Sequence, residues 1–306
     1  MKDVLQITMR LTLSCLIAAF VMGAVFTVTD KAKKHNEHAN VQKTMLQLLG
    51  YNKNNPPPDE LRLQSIYRYI LEDGQTKHIG YILPLEQNDA EDPAFGFVEL
   101  TLDAEFVDFF KLDLSPEEVA ESAERTRALR DVLKPSQIFS YEDKSIVAVL
   151  GETRKAYLLP GEFPGFKTFI RVMVALSPSF HVVGLEIMEH EEDPGLGGEI
   201  EQEYFKNQFE GKSFETLKTL EVIKEPLPGE YKRYLEAGEK RAGLFSEKEI
   251  QEIRERYLDD DIYSLTGATI SSRAVTRGVK SIARKFAYRI DILDEVLRSR
   301  GIEAAF

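Results

Sequence analysis

"DDDIYSLTGATISSRAVTRGVKSIARKF", residues Asp259–Phe286, is the passage on which the reading of this chain turns. An acidic run gives way to four small residues, Thr266, Gly267, Ala268 and Thr269, two of them bearing hydroxyls. From Ser271 an apolar pattern with helical spacing runs almost to Arg300. Small residues side by side let another group approach the backbone, and Gly267 permits a positive φ. Two readings of the junction stand side by side. In one, Thr266, Thr269, Ser271 or Ser272 caps the helix with its hydroxyl, and the stretch is a turn and nothing more. In the other, the helix start is an anion site, because its unpaired N–H groups and the dipole favour a phosphate. A hydroxyl there can contact a phosphate or be esterified by one. Arg273 and Arg277, four apart, either add positive charge or lie solvated on the surface. No G-x-x-x-x-G-K-[ST] occurs, and "GLGG" at 195–198 lacks the third glycine of a dinucleotide fingerprint.

Upstream, "SIVAVLGE", "KAYLLP", "FKTFIRVMVALSP" and "HVVGLEIMEH" read as strands. "PGLGGEIEQEYFKNQFEGKSF", from Pro194, reads as a glycine-rich turn entering an amphipathic helix that stops at Gly211. Ser246, with Glu249 three residues on, opens a helix through a capping box. Earlier still, "LQSIYRYILE", "KHIGYILPLE" and "FGFVELTLDAEFVDFFKLDL" are β-like. Ser115 and Pro116 then start a helix that runs through "EEVAESAERTRALRDVL". Val98–Glu118 and Arg171–Glu192 share a strand–turn–strand–acidic layout, which is either a degenerate repeat or two unrelated hairpins.

The 306 residues suffice for a sizeable core, and the net charge of −12 is uneven. Residues 1–34 carry five Lys/Arg against Asp3 and Asp30, so the remainder is more acidic than the whole. Such a body does not suit nucleic acid, whose phosphates need cations. Cys15, the only cysteine, leaves no intrachain disulfide and no thiolate cluster for zinc or iron–sulfur. His35 and His38, three apart, read as surface histidines rather than a metal pair, and no metal site is expected. No Ser/His/Asp or Cys/His constellation stands out, so no catalytic residues are assigned.

"LTLSCLIAAFVMGAVFTVT", Leu11–Thr29, is free of charge, and at 1.5 Å per residue it spans roughly 28 Å, the thickness of a hydrocarbon core. It reads as a retained anchor in the lipid bilayer, since "MGA" makes a poor cleavage site. Lys31, Lys33 and Lys34 after it are balanced by Lys2, Arg10 and the free amine before it, so charge gives no orientation. Residues 37–49 extend the helix as a stalk, and "NKNNPPPDE", Asn52–Glu60, is a linker.

"TGATISSRAV" resembles the S/T-G-A-T-x-[ST] flavinylation motif of the FMN-binding subunits of two membrane complexes. These are the G subunit of Rnf-type ion-translocating complexes and the C subunit of the sodium-pumping NADH:quinone oxidoreductase. "VVGLEIMEHEEDPGLGGEIE", Val182–Glu201, is similar to the same families' strand followed by "EHxETPGLGxxIE", with Asp193 in place of the usual Thr. The resemblance implies FMN joined through its phosphate to Thr269. It places Thr266, Gly267, Ala268, Ile270 and Ser271 in the motif, and Glu192, Pro194, Gly195, Leu196 and Gly197 in a loop near the flavin. It implies a flavin transferase for maturation, other membrane subunits as partners, and a flavin domain outside the cytoplasmic membrane on a single-pass anchor. Where the families carry Asp three residues before the motif, this chain has Tyr263, with Asp261 two residues upstream. Alternatives are the quinone-reductase C subunit, or a stand-alone or regulatory anchored FMN protein.

The expected architecture is α+β: a tail (1–10), an anchor (11–29), a helical stalk (30–51), an inserted α/β region (52–140) and a covalent-FMN domain (141–300). That last domain is expected to hold an antiparallel sheet with flanking helices. Its function would be electron relay as a subunit of an ion-translocating oxidoreductase.

Overall fold

A computed structural model describes residues 2–74, 76–86 and 93–306, with the side chains at 2, 3, 5, 27, 28, 30–38 and 239 outside the description. The readings of Lys31, Lys33, Lys34, His35 and His38 fall on those side chains. The chain divides into two units, Met1–Asn52 and Lys53–Phe306.

The first unit is one helix, α1 (Lys2–Leu48), with no break between the expected anchor and stalk. Its segment Gln6–Phe26, 21 residues of mean hydropathy 2.0 with none of it buried, is long and apolar enough to cross a membrane. The hydroxyls of Thr8, Thr12 and Thr29 donate to carbonyls four residues back. The helix closes at Gly50, whose φ of 82° suits only glycine, with Tyr51 N donating to Leu46 O.

The second unit is built on an eight-stranded antiparallel sheet in the order β4-β3-β2-β1-β5-β6-β7-β8. Its first half comprises β1 (Leu61–Asp73), β2 (Thr76–Leu85), β3 (Ala94–Thr101) and β4 (Phe106–Leu112). Helices α2 (Pro116–Ala120) and α3 (Ser122–Val132) follow, then β5 (Ile138–Leu150), β6 (Thr153–Pro164), β7 (Phe169–Leu176) and β8 (Val182–Glu189). β1 pairs with β5 antiparallel, so the sheet is two four-stranded meanders placed back to back. The segments that echo each other in sequence form β3–β4 and β7–β8, at matching places on opposite edges. Residues 52–140 thus supply half of this sheet, and the expected boundary at 140 lies inside β5.

Ser115 caps its helix as expected, in a full capping box with Glu118, but the helix is broken at Glu121, whose φ and ψ are extended. Leu129 and Ala128 of α3 pack on Tyr67, Tyr69 and Phe97 on one face of the sheet. The opposite face carries the larger core. There Ile66, Leu83, Val98, Val147, Leu159 and Val174 meet α9 (Thr269–Arg300).

Between β8 and α9 lie α4 (Glu203–Lys206), α5 (Phe214–Thr219), β9 (Val222–Ile223), α6 (Gly229–Ala237), α7 (Arg241–Leu244), α8 (Glu247–Tyr257) and β10 (Ile262–Tyr263). The amphipathic helix expected up to Gly211 is instead a 3₁₀ turn, Gly197–Glu201, and the four-residue α4. Phe205 and Phe209 are nevertheless fully buried, so the apolar spacing served the core without a continuous helix. Tyr231, Tyr234, Tyr257 and Tyr263 form a small separate core under α6 and α8. Two glycines let α9 close on β6: a side chain at Gly161 would enter Ile282, and one at Gly278 would enter the Phe163 ring. A bidentate Arg154–Asp294 pair, 2.5 and 2.7 Å, ties the start of β6 to the end of α9.

Candidate functional site

The start of α9 does not look as the capping reading requires. Its N-cap is Ala268, with no side-chain hydrogen bond, so none of the four hydroxyls nearby caps it. Ser272, fully buried, turns back: its Oγ accepts from Leu265 N (3.0 Å) and donates to Ala268 O (3.0 Å). That closes the elbow from inside and leaves the other groups facing outward. Gly267 sits at φ 77° and Thr266 is exposed. The Thr269 hydroxyl makes no hydrogen bond to any described residue. No described acceptor takes the backbone N–H of Thr269, Ile270 or Ser271. Three N–H groups at the head of this 32-residue helix are thus without a described acceptor, the arrangement that favours an anion.

The second motif lies against this elbow. Leu196 rests on Gly267 so closely that a Cβ there would come within 2.7 Å of Leu196 Cδ2. Beneath it, Glu192 is 4% exposed and binds through both oxygens. Oε1 accepts from Phe166 N (2.7 Å) and Lys167 N (3.1 Å), and Oε2 accepts from the Ser271 hydroxyl. Glu192 is therefore an internal brace joining the β6–β7 turn, the loop after β8 and the first turn of α9. Gly197 must be glycine for the same reason: a Cβ would stand 2.7 Å from Glu192 Oε2 and 2.8 Å from Ser271 Oγ. Gly195, at φ 72°, turns the loop, and Lys167 pairs with Asp193 at 2.5 Å. Each of the three segments that meet here carries an exposed apolar side chain, Phe166, Leu196 and Ile270.

Of the residues singled out in sequence, the structure brings Thr266, Gly267, Thr269, Ile270 and Leu196 together at this surface, with Glu192, Gly197, Ser271 and Ala268 buried under it. Pro194 and Gly195 shape the loop. Tyr263 is buried and donates to Asp260 Oδ2 (2.9 Å), while Asp261 accepts from Glu221 N (2.8 Å).

Sequence reasoning missed the residues that hold the elbow from behind. Buried Gln208 clasps Tyr263 with both ends of its amide, accepting from N (2.8 Å) and donating to O (3.2 Å). Lys212, 1% exposed, donates to Leu258 O (2.8 Å) and Asp260 O (2.5 Å). Burial pushes its amine down to about 8, against the pull of Asp260, Asp259 and Asp261. A polar residue on a helix-like stretch carries no local sign of either task.

Comparison with known families bears on what this surface could take. Residues 165–284 match the family model of the FMN-binding domain. The chain thus carries an FMN-binding domain within an α+β fold, and the matched span opens at the β6–β7 turn and includes both motifs. Among curated proteins it is 28% identical over 130 residues to the G subunit of the proton-translocating ferredoxin:NAD(+) oxidoreductase complex of Clostridium ljungdahlii, covering 42% of this chain. The match spans 52% of that relative, about half its length. Among solved structures, NqrC of Shewanella oneidensis aligns with TM-score 0.43 and 13% identity over 80% of this chain and 91% of that one. The C subunit of the Na(+)-translocating NADH-quinone reductase of Parabacteroides distasonis aligns with TM-score 0.32 and 16% identity over 65% and 74%.

Proposed function

We propose that the chain is a membrane-anchored flavoprotein subunit of an Rnf-type ion-translocating oxidoreductase, and that it holds FMN by a phosphoester to Thr269. The observation that carries this reading is the Thr269 hydroxyl, without a protein partner beside three open N–H groups, inside the matched FMN-binding domain. The N–H groups of Thr269, Ile270 and Ser271 would receive phosphate oxygens, and Phe166, Leu196 and Ile270 would offer apolar surface to a ring. FMN supplies one- and two-electron transfer, so the chain needs no acid or base of its own. Glu192 and Ser272 keep the receptor in shape, and Gln208 and Lys212 hold the strand that leads into it. The curated relative belongs to a complex, which supports other membrane subunits as partners. The helix Gln6–Phe26 would anchor the chain in the bilayer, with the flavin domain on the extracytoplasmic side and a flavin transferase making the bond. Because Tyr263 and Asp261 are both engaged within the protein, that transferase would have to recognise the elbow without the usual Asp.

Mass spectrometry of the protein purified from cells with an active flavin transferase tests the reading. The peptide containing Thr269 should carry the mass of FMN less water, Thr269→Ser should keep the modification and Thr269→Ala should lose it. An unmodified Thr269 peptide would end the covalent account.

A further inference from the structure

Away from the elbow, a half-open cleft of about 550 Å³ lies between the middle of α9 and strands β1, β5 and β6. Its floor is apolar, formed by Ile66, Leu159, Phe286 and Ile290, and it narrows where Ile282 lies over Gly161. One end is polar. Tyr81, Arg68 and Asp143 stand side by side on three adjacent strands, in register across β2, β1 and β5. Arg68 holds both Asp143 oxygens (Nε 3.0 Å, Nη2 2.6 Å), and Arg289 reaches down from α9 to the same carboxylate (3.0 Å).

Two guanidiniums thus share one carboxylate. Glu142 makes a looser ion pair with Arg68 at 3.8 Å, and Glu162 is taken by Arg171 outside the cleft. Lys285, exposed at the mouth, adds a further positive charge. Tyr81 is 5% exposed, yet its hydroxyl has no hydrogen-bond partner among the described residues. Burial raises its phenol, so the group stays a donor. Ser145 and Ser281 likewise line the cleft with unpartnered hydroxyls. None of these hydroxyls is among the fully buried unpaired atoms, so all three stay open to a ligand entering the cleft, and an apolar pocket with a few convergent donors is the usual form of a small-molecule site.

We propose that this cleft binds a long-chain carboxylate, with its headgroup on Arg289, Arg68 and the Tyr81 hydroxyl and its alkyl chain along the floor between α9 and β6. The donors all ask for an acceptor oxygen, and the four cations that line the cleft, Arg68, Lys144, Lys285 and Arg289, outnumber Glu142, Asp143 and Glu162, so a negative one is favoured. From Arg289 to Gly278 the helix advances roughly 16 Å, a trough for an extended chain rather than a fused ring system. Nothing in this depends on the flavin reading, since the cleft shares no residue with the elbow.

The test is photo-crosslinking of the full chain in lipid nanodiscs with dodecanoic acid carrying a terminal diazirine, mapped by peptide mass spectrometry. Label is expected on α9 near Ser281–Phe286 and on the facing part of β6, competed by octanoate. Arg289→Gln keeps the Arg68–Asp143 pair intact and should cut the label about tenfold, and Tyr81→Phe should cut it severalfold. Ser281→Trp, which fills the mouth from the helix surface, should remove it. Thermal melts of the three variants should match the parent, which separates lost binding from lost folding. Label confined to α1, equal label from the matching dodecanol probe, or label indifferent to these substitutions would overturn the proposal.

Discussion

Glu192 and Ser271, 79 positions apart in sequence, are joined by a buried hydrogen bond from the serine hydroxyl to the carboxylate. Through it the loop after β8 is fixed to the first turn of α9, and the same carboxylate holds the β6–β7 turn by the Phe166 and Lys167 N–H groups. Three segments that would otherwise be independent loops therefore meet on one acid. This is what shapes the first turn of α9 and so the proposed phosphate receptor, since the Ser271 N–H is one of the open donors and the Ser271 side chain is held from below.

Removing the acid should cost far more than a surface substitution. Glu192→Ala strands three donors around a carboxylate that is 4% exposed, and about 3 kcal/mol of stability should be lost. Glu192→Gln keeps one good acceptor and the volume, and should lose about half as much. Urea midpoints at constant slope measure both. Flavin absorbance per chain should fall in the same order, and an unchanged flavin content in Glu192→Ala would show that the brace is irrelevant to the receptor.

The Gly267–Leu196 contact allows a cleaner separation of effects. Gly267→Ala should suffer twice, from a side chain at φ 77° and from the clash with Leu196, for about 2–3 kcal/mol together. Leu196→Ala alone is mild, because Leu196 is 44% exposed. In the double variant the clash is gone and only the backbone term of about 1–2 kcal/mol remains. A double-mutant cycle with no coupling would mean that the two motifs do not touch in solution.

Much of this was legible in the chain. The eight long strands follow from alternating or continuous apolar runs, and the capping boxes at Ser115 and Ser246 from local side-chain chemistry. The long terminal helix was readable to within two residues, because its apolar stripe repeats over eight turns. What stayed hidden depends on partners far along the chain. Glu121 breaks its helix although nothing in "EEVAESAERTR" announces a stop. The two-residue strands β9 and β10 exist only as a pair, 40 residues apart. Gln208 and Lys212 find their acceptors 46 to 55 positions away. Even the hydroxyls beside Gly267 were ambiguous, since any of them can cap a helix, and only the packing of Ser272 into the elbow decides that none does.

Gly278 poses the opposite case to the usual helix glycine. Replacing an interior glycine by alanine normally stabilises a helix by about 1 kcal/mol. Here the added methyl would enter the Phe163 ring, so Gly278→Ala should destabilise the protein by about 1–3 kcal/mol despite the better propensity. Phe163→Leu makes room, and in that background the same change should turn neutral or favourable. Thermal melts of the four proteins decide it, and a stabilising Gly278→Ala in the parent would mean that α9 and β6 stand further apart in solution.

Lys212 gives the elbow a pH signature. Its amine titrates near 8 when folded, while in the unfolded chain it returns to the ordinary lysine value of 10.5. Below pH 8 both states hold the proton, and the folded protein bears the whole cost of burying the charge. As pH rises from 8 towards 10.5 the unfolded chain binds more protons than the folded one, so stability attributable to this group must increase, by up to about 3 kcal/mol. Buried tyrosines oppose this at the alkaline end, because Tyr263 is pushed up to about 12 and favours the folded state only while protonated. The difference between the parent and Lys212→Met isolates the lysine, since the tyrosine contribution is common to both. Denaturant titrations at intervals from pH 7 to pH 10 should show the parent gaining on the variant from about pH 8 upward. At neutral pH the protonated amine also holds Leu258 O and Asp260 O, so flavin attachment should slow in Lys212→Met and be restored in part by Lys212→Arg. A parallel pair of stability profiles would mean that Lys212 keeps its solution proton affinity, and that the strand leading into the elbow is held by Gln208 alone.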